Sequence, residues 1–280
     1  MIPAAGSKFG TTEIIVVGNE LLNGTTLDTN SHWLSKQFEE IGVTVTRKTT
    51  VPDELEIISD AFRKAVGRGA SWIFSIGGLG PTFDDMTLKG LGKALGKKVK
   101  RDRRAVQYLK ESYQRRHASN HRLSAASLKM AEIPDGSLPL PNPVGSAPAV
   151  LTEYGSSKIV SLPGVPKEMK AIFRQELLPL LQKDFVGFRK RRQIWISSKG
   201  VRESQIAASI SRIMKDYSPD IYLKSHPMGL DMNRNSLLNF QLISQNPNSN
   251  ASAEAAALVL EKIIAKLGGK SRRISRPTSQ

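Results

Sequence analysis

The six residues Ser71–Ile76 (SWIFSI) pass directly into Gly77-Gly78-Leu79-Gly80-Pro81-Thr82. An amphipathic stretch follows, with Leu88, Leu91 and Leu95 on one side and Gly96 closing it. An apolar run this short, bounded by glycine, fits a strand buried on both faces, as in parallel sheets covered by helices. Glu13–Gly18 (EIIVVG) has the same form. Ser31–Ile41 then spaces Leu34, Phe38 and Ile41 as one helical face, and Gly42 stops it. Val43–Thr49 alternates and is β-branched, which predicts a strand. Asp53 and Glu56 form a D-x-x-E helix-start signal ahead of Ile58, Phe62 and Ala65. Lys158–Leu162 predicts another strand. Pro163-Gly164-Val165-Pro166 turns it into a helix that carries Met169, Phe173 and Leu181 inward, with a kink expected at Pro179. Pro134–Pro148 reads as an ordered loop or crossing segment. Strands alternating with helices predict an α/β fold with a parallel sheet covered by helices.

The domain boundaries follow from composition. Residues 1–12 read as a flexible leader and 13–186 as the α/β domain. The run Arg189-Lys190-Arg191-Arg192 marks a boundary, and 187–268 reads as a small α/β domain of order β-α-β-β-α. Residues 269–280 are basic and Ser-rich, and are expected to be a disordered tail. The chain has no Cys, which excludes disulfides, thiolate metal sites and Cys nucleophiles. No apolar stretch approaches the roughly 18 residues needed to span a bilayer, and no signal-like leader stands out, so a cytoplasmic protein without membrane contact is expected. With 41 Lys+Arg against 25 Asp+Glu, the formal charge is +16. Lys97–Lys129 carries eleven Lys/Arg and only Asp102 and Glu111 as acids, so it could steer anionic ligands.

The segment Gly77–Thr87 (GGLGPTFDDMT) carries the most chemistry. A glycine turn between a buried strand and a helix lets backbone approach a ligand and points N–H groups at it, at the strand ends where α/β sheets bind ligands. Asp84 and Asp85 would attract a hard cation that bridges to phosphate oxygens, or would simply cap the helix. The segment is neither a Walker loop nor G-x-G-x-x-G. Gly18–Asn30 (GNELLNGTTLDTN) follows the first strand and should share the same edge. It offers Glu20 as a third carboxylate and Gly18, Asn23, Gly24, Asp28 and Asn30 for a polar ligand. An Asx-rich loop and helix cap would account for Asn30 as well. Asn142–Pro148 (NPVGSAP) and the Pro163–Pro166 turn are weaker candidates. Among the histidines only His117 and His121 have ligand spacing, in a polar stretch that reads as a surface loop.

The blocks GNELLNGTTLDTN, VPDE (Val51–Glu54), GGLGPTFDDMT, KMAEIPDGS (Lys129–Ser137), NPVGSAP and LPGVPKEM (Leu162–Met169) come in the order found in CinA-type proteins. The chain resembles that family over about Glu13–Leu181, in its short archaeal-type form, with RESQIA and IYLKSHP as family-like segments beyond. The resemblance implies a molybdopterin-binding MoaB/MogA-like domain, a three-layer α/β fold on a mostly parallel sheet, followed by a small KH-like α/β unit. It also implies metal-dependent hydrolysis of nucleotide pyrophosphates such as ADP-ribose or FAD, on a homo-oligomer. On that reading Gly77, Gly78, Gly80, Pro81, Thr82 and Thr87 form the phosphate cradle, and Asp85, Asp84 and Glu20 hold Mg²⁺, Mn²⁺ or Co²⁺. Asn142, Gly145, Pro163 and Gly164 complete the ligand site. Full-length bacterial CinA adds a nicotinamide mononucleotide deamidase module; this chain ends at Gln280, so no deamidase activity is expected. The sequence departs from the family pattern at Asn19, Ser146 and Ala149. A second reading is a molybdopterin-type binding protein without hydrolysis. A third is nucleic-acid binding; the small domain lacks a G-x-x-G loop and an RNP pattern, so specific recognition is not expected, and salt-sensitive nonspecific binding is the form left open.

Overall fold

The computed structural model describes residues 11–116, 123–184, 192–245 and 247–275. The leader's residues 1–10, the His117/His121 pair, Arg189–Arg191 and the last five residues lie outside them. The chain divides into two compact units, Met1–Glu39 with Val43–Gly187, and Glu40–Gly42 with Phe188–Gln280.

The first unit is built on β1 (Thr12–Val17), β2 (Val45–Val51) and β3 (Trp72–Ile76). β1 and β3 are buried along their whole length, as continuous apolar runs require. Helices α1 (Asn19–Leu22) and α2 (Thr29–Glu40) follow β1, α3 (Leu55–Gly67) follows β2, and α4 (Thr87–Leu95) follows β3. Then come β4 (Val99–Arg101), α5 (Arg103–Arg116), α6 (Ala125–Lys129), β5 (Glu132–Pro134) and β6 (Leu138–Leu140). The unit closes with β7 (Ala149–Tyr154), β8 (Ser157–Leu162), α7 (Pro166–Ile172), one π-helical turn (Phe173–Leu177) and α8 (Leu178–Asp184).

The main sheet has the order β2-β1-β3-β8-β7-β6. Its β2-β1-β3-β8 part is parallel, and β7 and β6 run antiparallel. Period-two alternation sends Ile15, Val17 and Ile73 to one face, against Ile58 and Phe62 of α3 and Leu91 of α4. On the other face Phe74 meets Phe38 of α2 at 4.7 Å between ring centroids, and Phe173 lies 5.8 Å from Phe38. The three-layer, mostly parallel architecture is therefore as expected. The chain departs in detail. β7, unforeseen, forms a hairpin with β8 through Gly155, whose φ of 56° suits the tight turn. The irregularity expected at Pro179 is the π turn just before it, which absorbs the amide that proline lacks. The helix-start reading of Asp53 is corrected as well. Glu54 is the N-cap of α3, without a side-chain cap bond, and Asp53 bonds elsewhere.

The second unit runs β9 (Gln193–Lys199), α9 (Glu203–Asp216), β10 (Ile221–Leu230), β11 (Ser236–Ser244), α10 (Asn250–Lys266) and β12 (Lys270–Ile274). Its antiparallel sheet has the order β10-β11-β9-β12. Ile194, Ile196, Leu223, Phe240 and Leu242 pack on Ile206 and Ile213 of α9 and Leu260 and Ile264 of α10. β12 corrects the expected disordered tail. Lys270–Ile274 pairs antiparallel with β9, and Arg273 donates from Nε to Glu261 Oε1 at 2.9 Å and from Nη1 to Glu254 on α10. Composition misled because backbone ladder bonds and two glutamates hold a strand with little apolar content of its own.

The hydrogen bond from Arg273, then its charge, holds the Glu254 carboxyl below its ordinary 4.5. The stabilisation from that lowered value is complete above about pH 4.5 and is lost as pH falls through it. Arg273→Ala should therefore cost about 1 kcal/mol at pH 7. In thermal melts its difference from wild type should narrow at about pH 3.

Candidate functional site

Three parallel strands end side by side, each handing over to a glycine turn. β1 ends in Gly18, whose N–H donates to Val51 O at 3.1 Å. β3 ends in Gly77, whose N–H donates to Leu162 O at 3.0 Å at the end of β8. Gly77 and Gly78 have φ of 100° and 66°, in the region that favours glycine. A Cβ on Gly77 would overlap the Val17 carbonyl oxygen, and one on Gly78 the Thr87 hydroxyl. Thr87, the buried first residue of α4, donates its hydroxyl to Gly77 O at 2.8 Å and its N–H to Gly78 O at 3.2 Å. The turn is thus stapled from below by the helix it leads into.

Above that staple, Asp84 and Asp85 gather around Thr82. The Thr82 N–H donates to Asp85 Oδ2 at 2.8 Å. Its hydroxyl lies 2.6 Å from the same oxygen and 2.5 Å from Asp84 Oδ1. The α4 N-cap is Met86, and no side chain caps that helix. The helix-cap reading of the Asp pair is therefore not what the structure has; both carboxylates serve the turn. Thr82 and Phe83 are exposed, Phe83 by 85%. The bonds of the turn use the amides of Gly77, Thr82, Asp85 and Thr87, leaving those of Gly78, Leu79 and Gly80 without an acceptor among the described residues.

The charges around this turn are unevenly balanced. Asp53 Oδ2 accepts the Asn19 N–H at 2.8 Å, tying the end of β2 to the turn after β1. Burial pushes the Asp53 carboxyl up; the Asn19 N–H opposes this, and the negative charges of Glu20, Asp84 and Asp85 reinforce it. Asp53 therefore feels three other carboxylates at one sheet edge. The Thr82 hydroxyl holds Asp84 below the usual range, with help from the Lys129 charge. Lys129, at the end of α6, donates to Thr82 O. Burial lowers its ammonium from the ordinary value, Lys89 adds to this, and Asp85 and Asp84 oppose it. A hollow open to solvent is lined by Gly78, Gly80, Asp85, Lys129 and Glu132.

The other expected residues divide into two groups. Asn30 donates from Nδ2 to Gly164 O at 2.6 Å, and Gly164 packs against Gly77, so these belong to the same edge. Asp28, not Asn30, caps the start of α2 by accepting the Ser31 N–H at 2.9 Å. Asn23 accepts the N–H and hydroxyl of Thr25, and Gly24 makes the turn with φ of 77°, so both shape their own loop. Buried Asn142 accepts the N–H groups of Val144 and Gly145 and donates to Ala147 O and Glu168, which makes it the organiser of the NPVGSAP loop. Gly145 sits against the Glu168 carboxylate with no room for a Cβ. Pro163 is buried and Pro81 exposed. Ala149 starts β7 fully buried, so the departure there from the family pattern falls in a strand. Asp53 and Lys129 went unrecognised as site residues, although both lie in quoted blocks, VPDE and KMAEIPDGS.

No three His, Asp or Glu among the described residues form a metal-ligand group. Glu20 lies back against Gly18, so it does not join the Asp pair as a third ligand. Asp84 and Asp85 still suit Mg²⁺, which takes one or two carboxylates and completes its shell with water and substrate phosphate.

Residues 13–183 match the family described as "Probable molybdopterin binding domain". The chain belongs to this family. A family relative from Aeropyrum pernix is 38% identical over 259 residues, covering 91% of this chain and 94% of the relative. One from Pyrobaculum aerophilum is 40% identical over 252 residues, covering 89% and 90%. The crystal structure of CinA, "with unknown function", from Thermoplasma acidophilum is 40% identical with a TM-score of 0.54, covering 62% of this chain and 98% of that one. The family match spans the whole edge described above, from Glu20 through Gly164. No helix among the described residues is long and apolar enough to cross a membrane.

The crowding of carboxylates is directly testable. In an NMR titration Asp53 should take up its proton at higher pH than an ordinary aspartate. Asp84→Asn/Asp85→Asn should move it down, because two repelling charges are gone while burial remains. An unchanged Asp53 titration would show that the carboxylates do not share a field.

Proposed function

We propose that this chain is a divalent-metal-dependent nucleotide pyrophosphatase acting on ADP-ribose- or FAD-type phosphoanhydrides. The observation that carries the reading is the pairing, in one turn, of unengaged amides at Gly78, Leu79 and Gly80 with the Asp84/Asp85 carboxylates. Free amides of a glycine turn receive phosphate oxygens, and the Lys129 ammonium beside them neutralises charge as it shifts to the leaving phosphate. A divalent cation held by Asp84 and Asp85 would supply polarisation of the phosphoanhydride. Water adds to one phosphorus, the P–O–P bridge breaks, and two phosphomonoesters leave. Thr82 orients both carboxylates, and Asp53 fixes Asn19 at the facing rim. Most of the rate enhancement is then positioning and electrostatics.

The family's description motivates a second reading of the same turn, a molybdopterin-type ligand whose phosphate is held without hydrolysis. Exposed Phe83 offers a flat surface to a pterin as readily as to a flavin or adenine.

Turnover of ADP-ribose and FAD with Mg²⁺, Mn²⁺ or Co²⁺, followed by released phosphomonoester, separates the readings. The expected outcome is hydrolysis that falls at least about 100-fold in Asp85→Asn and Asp85→Ala. Equal rates would remove Asp85 from the chemistry, and tight pterin binding without turnover would favour the second reading.

A further inference from the structure

We propose that the open face of the second unit's sheet is a sequence-tolerant platform for single-stranded nucleic acid, a function separate from the pyrophosphatase reading. Both helices, α9 and α10, cover one face only, where Ile194, Ile196, Leu223 and Phe240 are buried. Strand alternation sends the intervening residues to the other face. The register puts Lys224, Gln241, Trp195 and Ile274 in one row across it. His226, Asn239, Ser197 and Arg272 form the next row. Arg273 confirms the phasing of β12, since it points to the glutamates of α10 while its neighbours take the opposite side.

Two properties of this face select the occupant. The first is its rings: Tyr222 is 42% exposed, and the half-buried Trp195 and His226 stand side by side with centroids 5.3 Å apart. Tyr222 and Trp195 are two strands apart and two residues offset along the strands, about 12 Å, a span that bases two nucleotides apart on an extended strand can cover. The second is charge. Lys224, Lys270 and Arg272 are exposed, and no Asp or Glu lies in β9, β10, β11 or β12. The acids that compensate nearby arginine, Glu254 and Glu261, sit on the helix side. Rings that stack on any base, flanked by cations for the backbone, fit a single strand; a duplex keeps its base faces stacked internally. No loop for base-edge readout is needed, in keeping with the missing G-x-x-G.

The test uses the full chain and fluorescence anisotropy of labelled oligo(dT) and oligo(U), each of about 20 nucleotides, against a duplex of the same length. Both single strands should bind more tightly than the duplex, and preference between them tells DNA from RNA as the better source. Three phosphate-facing cations predict about a 20-fold loss of affinity between about 50 and 200 mM salt. Lys224→Glu/Arg272→Glu should weaken binding at least about tenfold and flatten that salt dependence. Tyr222→Ala and Trp195→Ala should each weaken it about tenfold. Tyr222 and Lys224 are exposed, so their variants report on binding even if the Trp195 variant folds poorly. Arg103→Glu/Lys110→Glu on α5 should leave affinity within about twofold. Absence of binding, equal affinity for duplex, or loss in the α5 variant with none in the sheet-face variants would overturn the proposal.

Discussion

Where β3 ends, the backbone of Gly77 passes so close to the Val17 carbonyl that no side chain could stand between them, and Gly164 lies beside it. This approach sets the geometry of the whole edge. Because β1, β3 and β8 are parallel neighbours, their ends converge on one line, and the turns that follow must share a narrow space. Glycine with positive φ solves the steric problem, and the Thr87 staple fixes the solution. The unengaged amides above the staple are a by-product of that solution. Asp85 and Thr87 return their N–H groups to carbonyls of the turn, whereas those of Gly78, Leu79 and Gly80, next to the close approach, find no carbonyl among the described residues.

The same convergence explains the electrostatics. Loops from β1, β2 and β3 deliver Glu20, Asp53 and the Asp84/Asp85 pair to one edge, where their repulsion adds to burial in raising the Asp53 carboxyl. Hydrogen bonds from Thr82 and from the Asn19 amide keep the individual carboxylates in place without cancelling their charge. Lys129 brings one cation to the group from a different part of the chain. On the proposed reading, these carboxylates, Lys129, Lys89 and the open amides would together take a ligand that carries both phosphate and a hard cation.

Much of the edge was legible in the sequence because close backbone approach demands glycine, and glycine after an apolar run is visible. The layered sheet followed from EIIVVG and SWIFSI for the same reason. What stayed hidden depended on partners distant in sequence. Asp53 looked like a local helix signal, since nothing near it reveals that the Asn19 amide, on another loop, takes its carboxylate. Lys129 sat in a basic stretch where one lysine resembles the next until α6 turns it toward Thr82. β12 failed in the opposite sense: its composition is that of a solvated tail, and only β9 and the glutamates of α10 make it a strand. β7 was masked by the Pro- and Gly-rich run before it, although its short apolar, β-branched start (AVLT) and the Gly155 turn mark a hairpin.

The central claim is that the Gly78–Gly80 amides and the Asp84/Asp85 pair form one phosphate site. Backbone ¹H–¹⁵N spectra recorded during titration with ADP-ribose and Mg²⁺ test it most directly. The largest shifts should fall on the amides of Gly78, Leu79, Gly80 and Thr82. They should weaken sharply when the cation is withheld. Shifts confined to the basic surface of α5, or unchanged by removing the cation, would contradict it.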